Sequence, residues 1–173
     1  MVNIARNIML EPKHEDEMNT IELILPLKFK EIFDNNLTFI DNKLLFWEHH
    51  FDAFVNGYPN GYKKTGTIRH KPGNIRLPFG NRLPVYATKE YERGEYPRGI
   101  ATIDYVVACQ LNELTEEEWL HDGFRSQEAL FESMKSCYSG IKPDSLISYY
   151  NFKEYDPDPS RLEIKRLLKI VNR

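Results

Sequence analysis

Apolar positions along this chain change period several times, and each change marks an element. From Ile100 to Cys109 β-branched and aromatic residues run almost unbroken, which predicts the clearest strand in the sequence. Leu146 to Phe152 predicts a last strand, and Asn81 to Thr88 a short one with Pro84 inside it. Thr20 to Phe29 is strand-like, with Pro26 bending its second half. Helical spacing appears instead at Trp47, Phe51, Phe54 and Val55. That stripe predicts a helix from about Leu44 to Asn56, stopped by Gly57. Thr115-Glu116-Glu117-Glu118 has the form of a capping box opening a short helix over Trp119 and Leu120, and Asp122-Gly123-Phe124 ends it. Ser126 predicts the cap of a helix with Leu130, Phe131, Met134 and Tyr138 on its apolar side. Asp158-Pro159 predicts the start of a C-terminal helix whose buried stripe is Ile164, Leu167, Leu168 and Val171. Asp34-Asn35-Asn36, Asp41-Asn42 and Lys71-Pro72-Gly73-Asn74 read as turns, and Lys89 to Arg98 as a polar hairpin or loop.

Strands outnumber helices in the middle of the chain and no βαβ rhythm appears. The expected class is α+β: a small mixed or antiparallel β-barrel decorated by helices. The expected divisions are an N-terminal extension over 1–40, polar over its first 20 residues, a central domain over 41–155, and a C-terminal helix over 156–173. A chain of 173 residues with 41% hydrophobic and 13% aromatic content has enough apolar material for one core. Cys109 and Cys137 lie far apart without a Cys-x-x-Cys pairing, so two buried thiols in a reducing compartment are expected. No apolar run approaches membrane-spanning length and no secretory pattern opens the sequence, which predicts a soluble cytoplasmic protein without a membrane partner.

Net charge is −3, but its distribution is uneven. From Ala53 to Lys89 there are seven Lys/Arg and no Asp or Glu. Within that window Lys64-Thr65-Gly66-Thr67-Ile68-Arg69 places a lysine and an arginine beside two hydroxyls. As an extended strand it sets Thr65, Thr67 and Arg69 on one face and Lys64, Gly66 and Ile68 on the other. A twist at Gly66 would bring Lys64 and Thr67 together. Such a surface suits an anionic ligand or an activated nucleophile; it also suits a half-buried strand with a solvated basic edge.

The order of parts resembles the ASCH domains, a family with the PUA-like β-barrel fold. The resemblance covers roughly Leu44 to Tyr155. It comprises the aromatic stretch from Leu44 to Val55, the signature strand Lys64–Arg69, the Lys71-Pro72-Gly73 turn and the strand Arg82–Tyr86. The long barrel strand follows, then Leu114-Thr115-Glu116-Glu117 with Asp122-Gly123-Phe124, Cys137-Tyr138 and the final Asn151-Phe152. The signature strand is similar to that of family members that hydrolyse the amide of N4-acetylcytidine. The resemblance implies catalytic roles for Lys64, Thr67 and Asp122, with Arg69 ending the strand. Asp122 stands where those enzymes have glutamate, and Gly61 is displaced by one residue from the family's glycine. Threonine attacks only once a base takes its proton, and lysine is a base only when burial or a cation lowers its pKa. Lys63 and Arg69 are the candidate cations.

Around that site Tyr62, Lys63, Arg69, His70 and Lys71 are candidate ligand-binding residues, through stacking or phosphate contact. Tyr58, Tyr86, Tyr91 and Tyr96 are further aromatics near the window. His49-His50 lacks a third ligand at a matching spacing, so no metal and no cofactor are expected. His121 could tune Asp122 or simply be exposed, and the basic face of the last helix could be solvated or extend a nucleic-acid surface. Three functions stay open: an amidohydrolase acting on an N4-acylated cytidine or similar modified nucleoside, a non-catalytic RNA-binding module, and a metal-independent ribonuclease.

Overall fold

The computed structural model describes residues 21–22, 38–71 and 73–171. Its organising element is β5 (Asn74–Ala87), the strand on which most of the sheet is laid. β1 (Ile21–Glu22) pairs with it antiparallel. β2 (Thr38–Ile40) runs parallel to its first residues and β3 (Leu44–Phe46) parallel to its last. β6 (Gly99–Gln110) and β7 (Leu146–Asp156) form a long antiparallel pair beyond it. Register shifts near Thr102 and Ile103 interrupt that pair, the local irregularity that bends strands and helps a sheet curl. β4 (Gly66–Arg69) closes the order β1-β5-β6-β7-β4 as an edge strand, with Thr67 opposite Tyr150 and Ile68 opposite Tyr149.

The remaining elements are α1 (His50–Val55), α2 (Thr88–Glu92), a 3-10 turn at Leu111–Glu113, α3 (Glu116–His121), α4 (Gln127–Cys137) and α5 (Arg161–Val171). Successive strand residues point to opposite sides of the sheet, so two cores form. One gathers Ile68, Ile147 and Tyr149 under Leu130 and Met134 of α4. The other gathers Leu83, Val85, Ala101, Ile103, Tyr150 and Phe152 under Phe46 and Phe54. The class is α+β, a mixed and mainly antiparallel curled sheet decorated by helices, as expected.

Several boundaries differ from the expectation. Leu44 to Phe46 is a strand, not the first turn of a helix, and α1 begins only at His50. Leu44 and Phe46 are buried with Leu45 between them half-exposed, a period of two that the later helical stripe obscured. Trp47, expected on the buried stripe, is 58% exposed. β5 is far longer than the Asn81–Thr88 strand expected; Asn74 begins it, and Thr88 instead opens α2 within the supposed loop. The last helix is capped by Ser160, not Asp158: the Ser160 Oγ accepts from the Glu163 N–H at 3.2 Å. Cys109 is buried but Cys137 is exposed. The expected turn at Asp34–Asn36, the polar first 20 residues, most of the Thr20–Phe29 strand and the Val171 side chain lie outside what is described.

Candidate functional site

Asp122 is placed by local sequence code. Thr115 caps α3, its Oγ1 accepting from the Glu118 N–H at 3.3 Å while the Glu118 carboxylate accepts from the Thr115 N–H at 2.7 Å. At the other end the Gly123 N–H donates to the Leu120 carbonyl at 3.0 Å, and the Phe124 N–H to that of Trp119 at 2.9 Å. This is a Schellman closure, with Gly123 at φ +95° as its left-handed residue. A Cβ on Gly123 would also lie 2.5 Å from the Tyr58 ring, so glycine is required twice over. The Asp-Gly-Phe sequence thus stops the helix and leaves Asp122 at its C-cap, facing β4.

There the carboxylate does two things. Its Oδ2 accepts from the Ile68 N–H at 3.0 Å, satisfying a backbone donor on the open edge of β4. Its Oδ1 takes the ammonium of Lys64, which also donates to the Gly66 carbonyl at 3.2 Å. Lys64 is fully buried, its Nζ 4.9 Å from the centre of the Phe46 ring. Burial pushes its pKa down from the ordinary lysine value, and Arg69 pushes the same way; Asp122 opposes both. Arg69 is the neighbouring cation of consequence, while Lys63 is exposed.

Arg69 meets the same ring, its guanidinium 4.9 Å from the Phe46 ring centre and donating to the Leu45 carbonyl at 2.9 Å. Thr67 shares the Arg69 face of β4 and is 3% exposed. The Lys64 amine is bonded to Asp122 and Gly66 rather than to Thr67. Gly66 earns its place by close approach, because a Cβ there would overlap the Tyr149 ring.

Two residues outside the expected set complete the wall. The Tyr58 hydroxyl donates to the Asp122 carbonyl at 3.2 Å and lies 3.0 Å from His50 Nδ1. A carbonyl only accepts, so the phenolic proton goes to Asp122 and Nδ1–H of a neutral His50 donates to the phenol oxygen. Burial, helped by Lys64, His49 and Arg69, drives the His50 pKa down to about 2. Burial also raises that of Tyr58, with Asp122 adding to it. Sequence offered only a His-His pair and a loop tyrosine; Tyr58 reaches the site because Gly57, at φ +87°, turns the chain directly after α1.

The other candidates divide. Lys71 forms an ion pair with buried Asp41, to which the Tyr150 hydroxyl also donates. His70 packs edge-on against Tyr138 at 5.4 Å. Tyr62 is exposed and meets the His121 ring edge-on at 5.2 Å. Of the other aromatics, Tyr86 is buried and Tyr96 is exposed. Three of the seven cations of the acid-free window are therefore paired with acids from elsewhere: Asp122 takes Lys64, Asp41 takes Lys71 and Glu163 takes Arg82. Among the described residues no cluster of three or more His, Cys, Asp or Glu is arranged to hold a metal, and no helix is long and apolar enough to cross a membrane.

No protein-family model matches this chain, and no curated protein matches it. Among solved structures it is similar to that of ASCH from Zymomonas mobilis, with a TM-score of 0.45 and 20% identity over 69% of each chain. That structure bears the name of the family the order of sequence elements resembles. A likeness at this level transfers no residue role, and the site rests on its own geometry.

Proposed function

We propose that this chain is a nucleobase-binding ASCH-like protein that hydrolyses the amide of a small N4-acylated cytosine nucleoside. One observation carries the reading: a fully buried lysine with a lowered pKa, held on a carboxylate, three positions before a buried threonine on the same strand segment. Fold stability does not call for such a pair, since two desolvated charges return little more than apolar side chains of the same size. Strongly perturbed buried ionisable groups cluster instead at chemical sites.

In this scheme Asp122 receives the Lys64 proton, and the neutral amine takes the proton of Thr67 as its hydroxyl attacks the acyl carbon. Lysine then returns that proton to the exocyclic nitrogen as the carbon–nitrogen bond breaks, and water releases the acyl group from threonine. With Lys71 and Arg82 paired with acids and Arg69 held on Leu45, Lys63 is left as the exposed cation next to Lys64, which favours a small nucleoside over an RNA backbone that would need several cations for its phosphates. Lys63 and Tyr62 remain exposed for ligand contact.

The test is incubation of the purified protein with N4-acetylcytidine and a panel of other modified nucleosides and RNAs, read by mass spectrometry. Acetate release that disappears in Lys64→Met and in Thr67→Ala supports the reading. Turnover retained in either variant removes that residue from the mechanism. No turnover together with salt-sensitive RNA binding would replace hydrolysis by the binding module.

A further inference from the structure

Thr65 and His121 form a second reactive arrangement beside this site, independent of the Lys64 pair. Thr65 precedes β4, its carbonyl accepting from the Phe152 N–H at 2.8 Å, so its backbone is fixed to the sheet. His121 is the last residue of α3 and is held by the same helix closure that places Asp122. The Thr65 Oγ1 lies 2.5 Å from His121 Nδ1. On the far side of the ring Nε2 faces the Glu117 carboxylate at 3.6 Å, one helical turn back. Hydroxyl, imidazole and carboxylate therefore stand in succession, the order in which a histidine activates a hydroxyl nucleophile. The Lys63 carbonyl, 3.3 Å from Nδ1, adds an acceptor that would stabilise the protonated ring. Solvent reaches this pair: Thr65 is half-buried and the His121 side chain is 23% exposed.

We propose that Thr65, with His121 as its base, is an acyl-accepting nucleophile for small activated acyl esters. In the first step Thr65 Oγ bonds to the acyl carbon and its proton passes to His121 Nδ1. Collapse of the tetrahedral intermediate breaks the bond to the leaving oxygen, which takes the proton from His121 or departs as the phenoxide while His121 gives that proton to solvent, so that the ring is neutral again before the second step. Water then attacks the threonyl ester, giving a proton to His121 that returns to Thr65 as the acid leaves. Glu117 orients the ring from an exposed position and acts as a positioning residue.

The test uses p-nitrophenyl acetate with the full chain, following p-nitrophenolate release and locating the acetyl group by peptide mass spectrometry. The expected result is acetyl on Thr65, with labelling kept in Thr65→Ser, absent in Thr65→Val and slowed about a hundredfold in His121→Ala. Glu117→Gln should slow it by no more than about fivefold, in keeping with an exposed partner. Thermal melts show that each variant is folded. Acetyl found only on lysines or on Thr67, or equal labelling of Thr65 in folded His121→Ala, overturns the proposal. The two readings fail separately. Nucleoside hydrolysis lost in Lys64→Met, without any Thr65 label, sinks only this one, whereas a Thr65 label without nucleoside turnover sinks only the other.

Discussion

Lys64–Asp122 and Lys71–Asp41 flank β4 along the chain, and each joins a lysine of the acid-free window to an aspartate from another part of the sequence. Both bury the aspartate, and they differ in the lysine. In the first the cation is enclosed as well, over an aromatic ring. In the second the Lys71 side chain is 28% exposed, and Tyr150 supplies a further donor to Asp41. Asp41 is also tied through its own N–H to the Arg76 carbonyl at 2.9 Å, so the second pair fastens the segment between β2 and β3 to the sheet. A buried lysine can be relieved by surrendering its proton, which is chemistry. A lysine that solvent reaches keeps its proton and serves only to hold its partner. On the proposed function, the same residue pair is thus reactive at one place and a clasp at the other.

Breaking the first pair should have the largest effect. Lys64→Met leaves Asp122 enclosed without its cation and should cost about 3–5 kcal/mol. Adding Asp122→Asn removes the orphaned charge while keeping an acceptor for the Ile68 N–H, and should restore most of the loss without restoring turnover. Urea denaturation at neutral pH measures both. A single-variant cost below about 1 kcal/mol would show that Lys64 is not desolvated as the structure has it.

Breaking the clasp should cost stability alone. Tyr150→Phe removes one donor from a buried carboxylate, a loss of about 1–3 kcal/mol. Nucleoside turnover should stay within about twofold of the parent, because Tyr150 bonds to Asp41 and not to the Lys64 site. A large fall in turnover, with stability intact, would erase the distinction between the pairs.

The sequence discloses these two regions unequally, for a physical reason. The capping box, the Asp-Gly-Phe stop and the Ser126 cap are local codes, legible within a few residues; they place Asp122 and α4 correctly. Lys64 meets Asp122 across 58 positions, and only the order of parts in a resembling family pointed to that meeting. Nothing local foretells Asp41–Tyr150, 109 positions apart, since a strand tyrosine reads as ordinary core. Thr65 and His121 carry no joint signal in the sequence, because their contact exists only once the helix closure brings α3 against β4.

The two regions should also respond differently to acid. The folded protein holds His50 neutral, with its pKa near 2 against an unfolded value of 6.5. Between those values the unfolded chain binds the extra proton, so this group's contribution is present above pH 6.5 and is lost as pH falls. The slope from one such group is at most about 1.4 kcal/mol per pH unit. His50→Gln should flatten the stability profile from pH 6.5 downward, as read by denaturation across pH. An unchanged slope would mean that another group governs acid unfolding.

Lys71→Met should have the smallest effect, about 1 kcal/mol or less, because solvent reaches its side chain and screens its attraction for Asp41. Coupling then decides what the clasp is. Tyr150 and Lys71 serve the same carboxylate, so either donor satisfies part of its demand when the other is removed. The double variant Lys71→Met/Tyr150→Phe should therefore cost more than the two singles together, as expected for neighbours sharing one partner. Lys64→Met combined with Tyr150→Phe tests the converse, because these residues bond to different aspartates and their costs should add. Excess cost in the first combination and additivity in the second would establish two separate devices. Equal coupling in both would mean that the buried charges behave as one network, and the contrast between a reactive pair and a clasp would fail.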